Sequence, residues 1–298
     1  MTQNELNDIA DEHEKWLSSS GGKRAVLNHS RLNGLNLSNY KLSKALFVSV
    51  CFDNTIINGT DLSEAEFENC SFNETNITMA NLEGVKAKNC SLNRSKLLGL
   101  EMKGINFEVA HISFSRLDNC NISEAVFSGV NLSYSTLAEC ELSDVKFIGT
   151  DLSHSRLNEL NFENGVYFDR CTLVKAELQN ARMDGVNLDE LNLNEVNLDG
   201  ASLRDASFVR AGLYGSSIRN ANLERANLEG ACLSWAVLDN SNLMYANLSK
   251  ANLRWTNFTE AILNKASLEG ADIHRARFYK ASTEGTSFKR TRKDRAIW

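Results

Sequence analysis

An all-β solenoid, a chain wound into stacked coils of very short strands, is the fold this sequence predicts, on three observations. From Ala221 to Leu253 it reads ANLERANLEGACLSWAVLDNSNLMYANLSKANL, placing a small residue, a polar residue and a leucine in every five positions. That period matches neither the 3.6 of a helix nor the 2 of a long strand. Second, if that leucine is called the centre of its pentad, centres run from Leu27 to Phe162 and, in a second phase, from Phe168 to Phe288. All are Leu, Ile, Phe or Met except Ala87 and Thr283. Third, Phe47, Phe67, Phe107, Phe127 and Phe147 recur at twenty-residue intervals with Ala87 as the gap, and Cys70 and Cys90, like Cys120 and Cys140, share the interval. Solenoids stack like upon like, so the interval sets four pentads per coil and about thirteen coils. Gly185, Gly200, Gly215 and Gly230 suggest fifteen instead. The interior carries more weight, because a corner glycine recurs for reasons of local φ.

Within a pentad the pleat decides direction. If Leu223 points inward, so does Ala221; Asn222 points out, and Glu224 and Arg225 turn the chain. The phase slips by one residue between Phe162 and Phe168, which predicts a bulge at the corner 163–167. Residues 1–23 form a separate cap and linker. Leu6, Ile9, His13, Trp16 and Leu17 fall on one helical face, and Asp8, Asp11, Glu12 and Glu14 on the rest. Such a helix covers the open end of the coil, which would otherwise expose core and strand edges; the alternative is a partner-binding helix. Residues 24–288 are the solenoid, irregular up to Phe162, where Leu35, Tyr40, Leu100, Ile105 and Leu160 take the small position, and alanine-rich beyond Phe168. In the basic tail 289–298, Ile297 and Trp298 are expected to fold over the last coil while the bases stay in water.

Composition is consistent with one elongated domain. There is no proline among the 298 residues, as suits backbone amides needed in ladders. Seven cysteines without a signal-peptide pattern point to a reducing, cytoplasmic setting. Cys70, Cys90, Cys120, Cys140 and Cys171 take the small inward position and read as packing; Cys51 and Cys232 face out. No Cys or His spacing makes a metal site, no apolar run is long enough to span a membrane, and no cofactor motif occurs. With no phosphate-cradling loop and no nucleophile elbow, and with its five histidines scattered over different elements or faces, the chain does not read as an enzyme.

The pentads ANLER, ANLEG and ANLSK resemble those of the bacterial pentapeptide-repeat proteins, over about Ala25 to Phe288. The resemblance implies a right-handed quadrilateral parallel β-helix. The segment EHEKWLSSSGGKRAVL also resembles leaders that precede such repeats, in keeping with a short N-terminal helical cap. No single function follows from the fold. Some members, the quinolone-resistance proteins among them, imitate duplex DNA and occupy DNA gyrase or topoisomerase IV, so the resemblance brings a type II topoisomerase into view as a partner.

Three surfaces are candidates. An acidic face, with centres Leu62, Leu82, Met102, Ile122, Leu142 and Phe162, carries Asp61, Glu64, Glu83, Glu101, Glu124, Glu141, Asp144 and Glu163, with Lys103 its one base. Aligned carboxylates suit phosphate mimicry, with Glu83, Glu101, Glu124 and Glu141 as surrogates, or solubility alone. On what reads as the neighbouring face, Phe114, Tyr134 and His154 form an aromatic column, either a contact surface or a shielded corner. Near the other end, Tyr214, Trp235, Trp255, Arg254, His274 and Arg275 share a face, with Trp235 and Trp255 expected to stack and Arg275 next in line. The leading reading is a non-catalytic interaction protein, in its most specific form a DNA mimic acting on a type II topoisomerase. The alternatives are an effector or immunity-type binder using the Trp/Arg face, and a rigid spacer. Direct nucleic-acid binding is not expected at a net charge of −6. A homodimer through the C-terminal end is a further expectation.

Overall fold

The computed structural model describes residues 1–298 as two compact units, Met1–Asp151 and Leu152–Trp298. The first opens with α1 (Gln3–Leu17), started by a capping box in which the Thr2 hydroxyl accepts from the Glu5 amide and the Glu5 carboxylate accepts from the Thr2 amide. Its buried face is Leu6, Ala10 and His13, while Trp16 is exposed. The helix is thus rotated from the face expected, Ala10 replacing Trp16, because His13 must reach two backbone groups. Its Nδ1 accepts from the Ala25 amide at 2.9 Å and its Nε2 donates to the Ser43 carbonyl at 2.9 Å. Both bonds require the neutral ring, and burial, partly opposed by the Ser43 bond and aided by Arg24, pushes its pKa down. The linker then passes so close under the helix that a Cβ on Gly22, at φ 74°, would meet the Glu12 carbonyl at 2.1 Å.

Ten three-residue strands follow: β1 (Val26–Asn28), β2 (Leu46–Val48), β3 (Ile56–Asn58), β4 (Glu66–Glu68), β5 (Asn76–Thr78), β6 (Lys86–Lys88), β7 (Lys96–Leu98), β8 (Asn106–Glu108), β9 (Val126–Ser128) and β10 (Lys146–Ile148). Pairing runs β1-β2-β4-β6-β8-β9-β10 on one side and β3-β5-β7 on another, parallel throughout, with residue i opposite i+20: Phe47 opposes Phe67 and Phe107 opposes Phe127. Single bridges such as Arg31 to Cys51 and Lys41 to Asp61 keep the same register on the remaining sides. Each twenty-residue coil therefore has four sides. The phenylalanine ladder lies inside it, with ring centroids 4.9 Å apart for Phe47 and Phe67, 5.6 Å for Phe107 and Phe127, and 5.2 Å for Phe127 and Phe147. Ala87 interrupts the ladder and leaves an apolar cavity of about 30 Å³ among Phe67, Ile77, Val85, Leu97 and Phe107.

The corners show how a five-residue period closes. In most pentads the centre carbonyl accepts from the amide three residues on, as when Ala226 donates to Leu223, and the residue just before that donor is left-handed: Arg225 at φ 59°, Trp235 at 65°. A left-handed side chain costs about 1–2 kcal/mol. The strained corner still joins the ladder, since Arg225 donates its own amide to the Met244 carbonyl of the next coil at 2.9 Å. Hydroxyls at the small inward position are also satisfied: Thr55 donates to the Leu32 carbonyl and Ser115 to that of Leu92. Cys70, Cys90, Cys120, Cys140 and Cys171 are buried, and none of the seven cysteines is in a disulfide.

The second unit begins with pairs twenty-one apart, Arg156 with Glu177 and Asn161 with Arg182, and returns to twenty from Thr172 and Asn192 onward. The extra residue widens the turn at 163–165, where the Gly165 amide donates to Glu163, so the slip expected as a bulge is absorbed by a turn before β11 (Tyr167–Asp169). Beyond it the alanine-rich interior is regular, and outward asparagines stack, Asn242 donating to Asn222 and Asn247 to Asn227 at 3.1 Å. Residues 289–298 do not fold across the coil. They continue the winding, with Arg292 bridged to Asp272, Ile297 to Arg277, and the Trp298 ring stacked 4.7 Å from Phe278 at the next centre position.

Candidate functional site

The acidic face of the first unit stands on one side of the coil, but its charges are partly answered. Glu64 lies 3.7 Å from Lys44 and Glu124 3.1 Å from Lys103. Asp61 accepts from the Ser63 hydroxyl and amide, and Glu101 from Asn121. Glu83, Glu101, Glu141 and Asp144 form no ion pair, although the charge of Glu83 also acts on Lys103. Glu163 belongs to the second unit and is held by Arg182 at 2.6 Å. Lys44 stands at the same corner as Glu64 one coil away, and Arg182 is bridged to Asn161 beside Glu163, neighbourhoods that reading along the chain does not display.

Phe114 and Tyr134 stack at 4.8 Å and 4°, both more than half exposed or nearly so, each at a left-handed turn position. Their pentads are centred ten residues from those of the acidic face. In a four-sided coil that is two sides away, so the column lies opposite the acidic face and not beside it, as expected from sequence. His154 holds the same turn position in the second unit, at φ 58°.

The Trp/Arg face of the second unit is assembled as a continuous stack. The indoles of Trp235 and Trp255 lie 4.8 Å apart and 9° from parallel. The Arg275 guanidinium sits 4.3 Å above the Trp255 ring, on the side away from Trp235. His274 meets Trp255 edge-on at 6.4 Å. Burial first, then Arg254 and Arg275, hold the His274 pKa below its ordinary value, so the ring is neutral at pH 7. Arg254 is held by Asp272 at 3.1 Å, which Arg292 also approaches at 3.7 Å. Tyr214 is 47% exposed one coil before Trp235 and occupies the adjoining turn position, outside the stack itself. The sequence reading missed Gly215 and Glu195, which precede Trp235 in its own column at successive twenty-residue steps. No group of three His, Cys, Asp or Glu side chains is placed to hold a metal, and no helix is long and apolar enough to cross a membrane.

A four-sided parallel β-helix built from five-residue repeats defines the class. Family models described as pentapeptide repeats match residues 57–86, 187–225, 206–244, 221–259 and 251–290, and a model described as a pentapeptide repeat region matches 100–178. Together they cover more than two thirds of the chain, which belongs to the pentapeptide-repeat family and has its right-handed quadrilateral β-helix fold. Its sequence matches no curated protein. Among solved structures it is similar to HetL of the cyanobacterium Nostoc sp. strain PCC 7120, a pentapeptide-repeat protein involved in heterocyst differentiation regulation, at 21% identity over 93% of this chain and 91% of that one, with a TM-score of 0.28. It is also similar to full-length QnrB1, a plasmid-mediated fluoroquinolone resistance protein, at 17% identity over 80% and 94% of the two chains, TM-score 0.25. A third is Rfr23 of the cyanobacterium Cyanothece 51142, at 27% identity over 41% and 90%, TM-score 0.21. The fold fits a non-catalytic interaction protein.

Proposed function

We propose that this chain is a non-catalytic binding protein that docks a protein partner through the Trp/Arg face of its second unit. One observation carries the reading: Trp235 and Trp255 are stacked, capped by Arg275, and yet Trp235 remains 52% exposed. Large rigid side chains already held in place lose little entropy on binding, and Trp and Arg dominate the energetics of interfaces. Affinity capture with the wild-type chain and with Trp235→Ala plus Trp255→Ala tests it. A partner lost with the double variant is the expected result, and an unchanged set of partners contradicts it.

A second reading, a DNA mimic that occupies a type II topoisomerase, is supported by Glu83, Glu101, Glu141 and Asp144, which share one face without forming ion pairs. It predicts that the chain inhibits gyrase supercoiling or protects it from a quinolone, and that charge reversal at Glu83, Glu101, Glu124 and Glu141 abolishes the effect. No effect at stoichiometric excess ends this reading and with it a role in antibiotic resistance. Seven cysteines without a disulfide among them favour a reducing compartment such as the cytoplasm. Pairing of two chains through Trp298, 56% exposed, is read by light scattering at several concentrations.

A further inference from the structure

The stack on the Trp/Arg face is closed at one end and open at the other. Arg275 covers Trp255, but no ring or cation covers the face of Trp235 turned toward the preceding coil. There the chain has Gly212 and Gly215 on either side of Leu213 and Tyr214, so the coil contributes no side chain at the turn position beneath the indole. One coil further, Glu195 rises toward the space: its Cγ would lie 3.5 Å from a Cβ placed on Gly215. Two coil steps, about 9–10 Å, separate Trp235 from Glu195, leaving room for one flat group between an aromatic wall and a carboxylate.

We propose that this slot receives an arginine side chain of a partner protein, its guanidinium stacked on Trp235 and directed at Glu195. The proposal rests on the docking face above and names what that face recognises. The chain itself supplies the precedent, since Arg275 lies 4.3 Å over the other end of the same stack. A guanidinium is planar, weakly hydrated and able both to stack and to bond a carboxylate in its plane. Glu195 already approaches Lys175 at 3.3 Å from the far side, both about half exposed, so its carboxylate is held near the slot while still accessible. A nucleotide would stack equally well but would bring its phosphate toward Glu195.

The test follows the indole N–H cross-peaks of the four tryptophans by NMR during titration with arginine amide. The expected result is a saturable shift of the Trp235 peak, with a dissociation constant on the order of millimolar, while Trp16 is unmoved. Citrulline amide, which keeps the α-ammonium but has an uncharged side chain, should act at least about fivefold more weakly, and Glu195→Gln should weaken arginine amide severalfold. Gly215→Arg should abolish the response by filling the slot; the position sits at φ 64°, where the fold elsewhere accepts Arg225 and Arg275. Citrulline amide acting as well as arginine amide, adenosine monophosphate acting more strongly than either, or a response that survives Gly215→Arg would each overturn the proposal. The titration needs no partner. Partner capture lost with Trp255→Ala alongside a silent titration would remove the slot and leave the docking face, and the reverse pair of results would do the opposite.

Discussion

Phe114 and Phe127 are the same residue type thirteen positions apart, one on each side of the wall, and replacing each by alanine should separate them sharply. Phe127 is fully buried between Phe107 at 5.6 Å and Phe147 at 5.2 Å. Removing a buried Phe side chain costs about 3–5 kcal/mol, and losing two ring neighbours places this site toward the upper end. Phe114 is 58% exposed and has one ring partner, Tyr134, so Phe114→Ala should cost about 1 kcal/mol or less. The difference, roughly 3 kcal/mol, corresponds to a urea midpoint shift of about 1 M at an m-value near 3 kcal/mol/M. Urea denaturation followed by circular dichroism reads it. Equal midpoints, or a larger loss at Phe114, would refute an interior lined by the pentad centres.

Ala87→Val should raise stability by about 0.7 kcal/mol, because the cavity it faces is about 30 Å³ and such voids cost about 24 cal/mol per Å³; a lower melting temperature would show that the space is not free. Gly22→Ala should loosen α1 by about 1–3 kcal/mol, through its left-handed φ and the contact at 2.1 Å with Glu12, seen as faster hydrogen exchange confined to α1. Docking of α1 should also depend on pH. His13 has a folded pKa below its unfolded value of 6.5, so the unfolded state takes up the proton first. The stability this ring contributes is therefore complete above about pH 6.5 and is lost as pH falls below it. Exchange protection of α1 that is unchanged between about pH 7 and pH 4 would contradict this, as would an unaltered pH profile in His13→Gln.

The winding was legible because each coil repeats the same demand: Leu223 inward, Asn222 outward, Arg225 at the corner. Twenty residues per coil could be read from Phe107 and Phe127, which must stack, and the glycine spacing of fifteen carried no such constraint. What the chain order hid was lateral neighbourhood. Lys44 answers Glu64 and Arg182 answers Glu163 from one coil away, so part of the acidic face is neutralised in a dimension that reading pentad by pentad does not sample. The placement of Phe114 beside the acidic face failed for a related reason, since pentads ten residues apart occupy opposite sides. At the N-terminus, periodicity gave the helix but not its rotation, which is fixed by the two backbone groups that His13 must bond. The stacking of Trp235 on Trp255 was readable in the column, whereas the open slot under Trp235 depends on a side chain that Gly215 lacks.

The register itself can be measured by pyrene labels on Asn69→Cys and Asn89→Cys, with Cys51 and Cys232 replaced by Ser; in the fold, the Asn89 amide donates to Asn69 at 3.3 Å. Twenty residues per coil predicts strong excimer emission from this pair, and monomer emission from the same label at Asn69 paired with one at Gly84→Cys, fifteen residues on. Excimer from the fifteen-residue pair, or none from the twenty, would contradict the register on which every face described above is built.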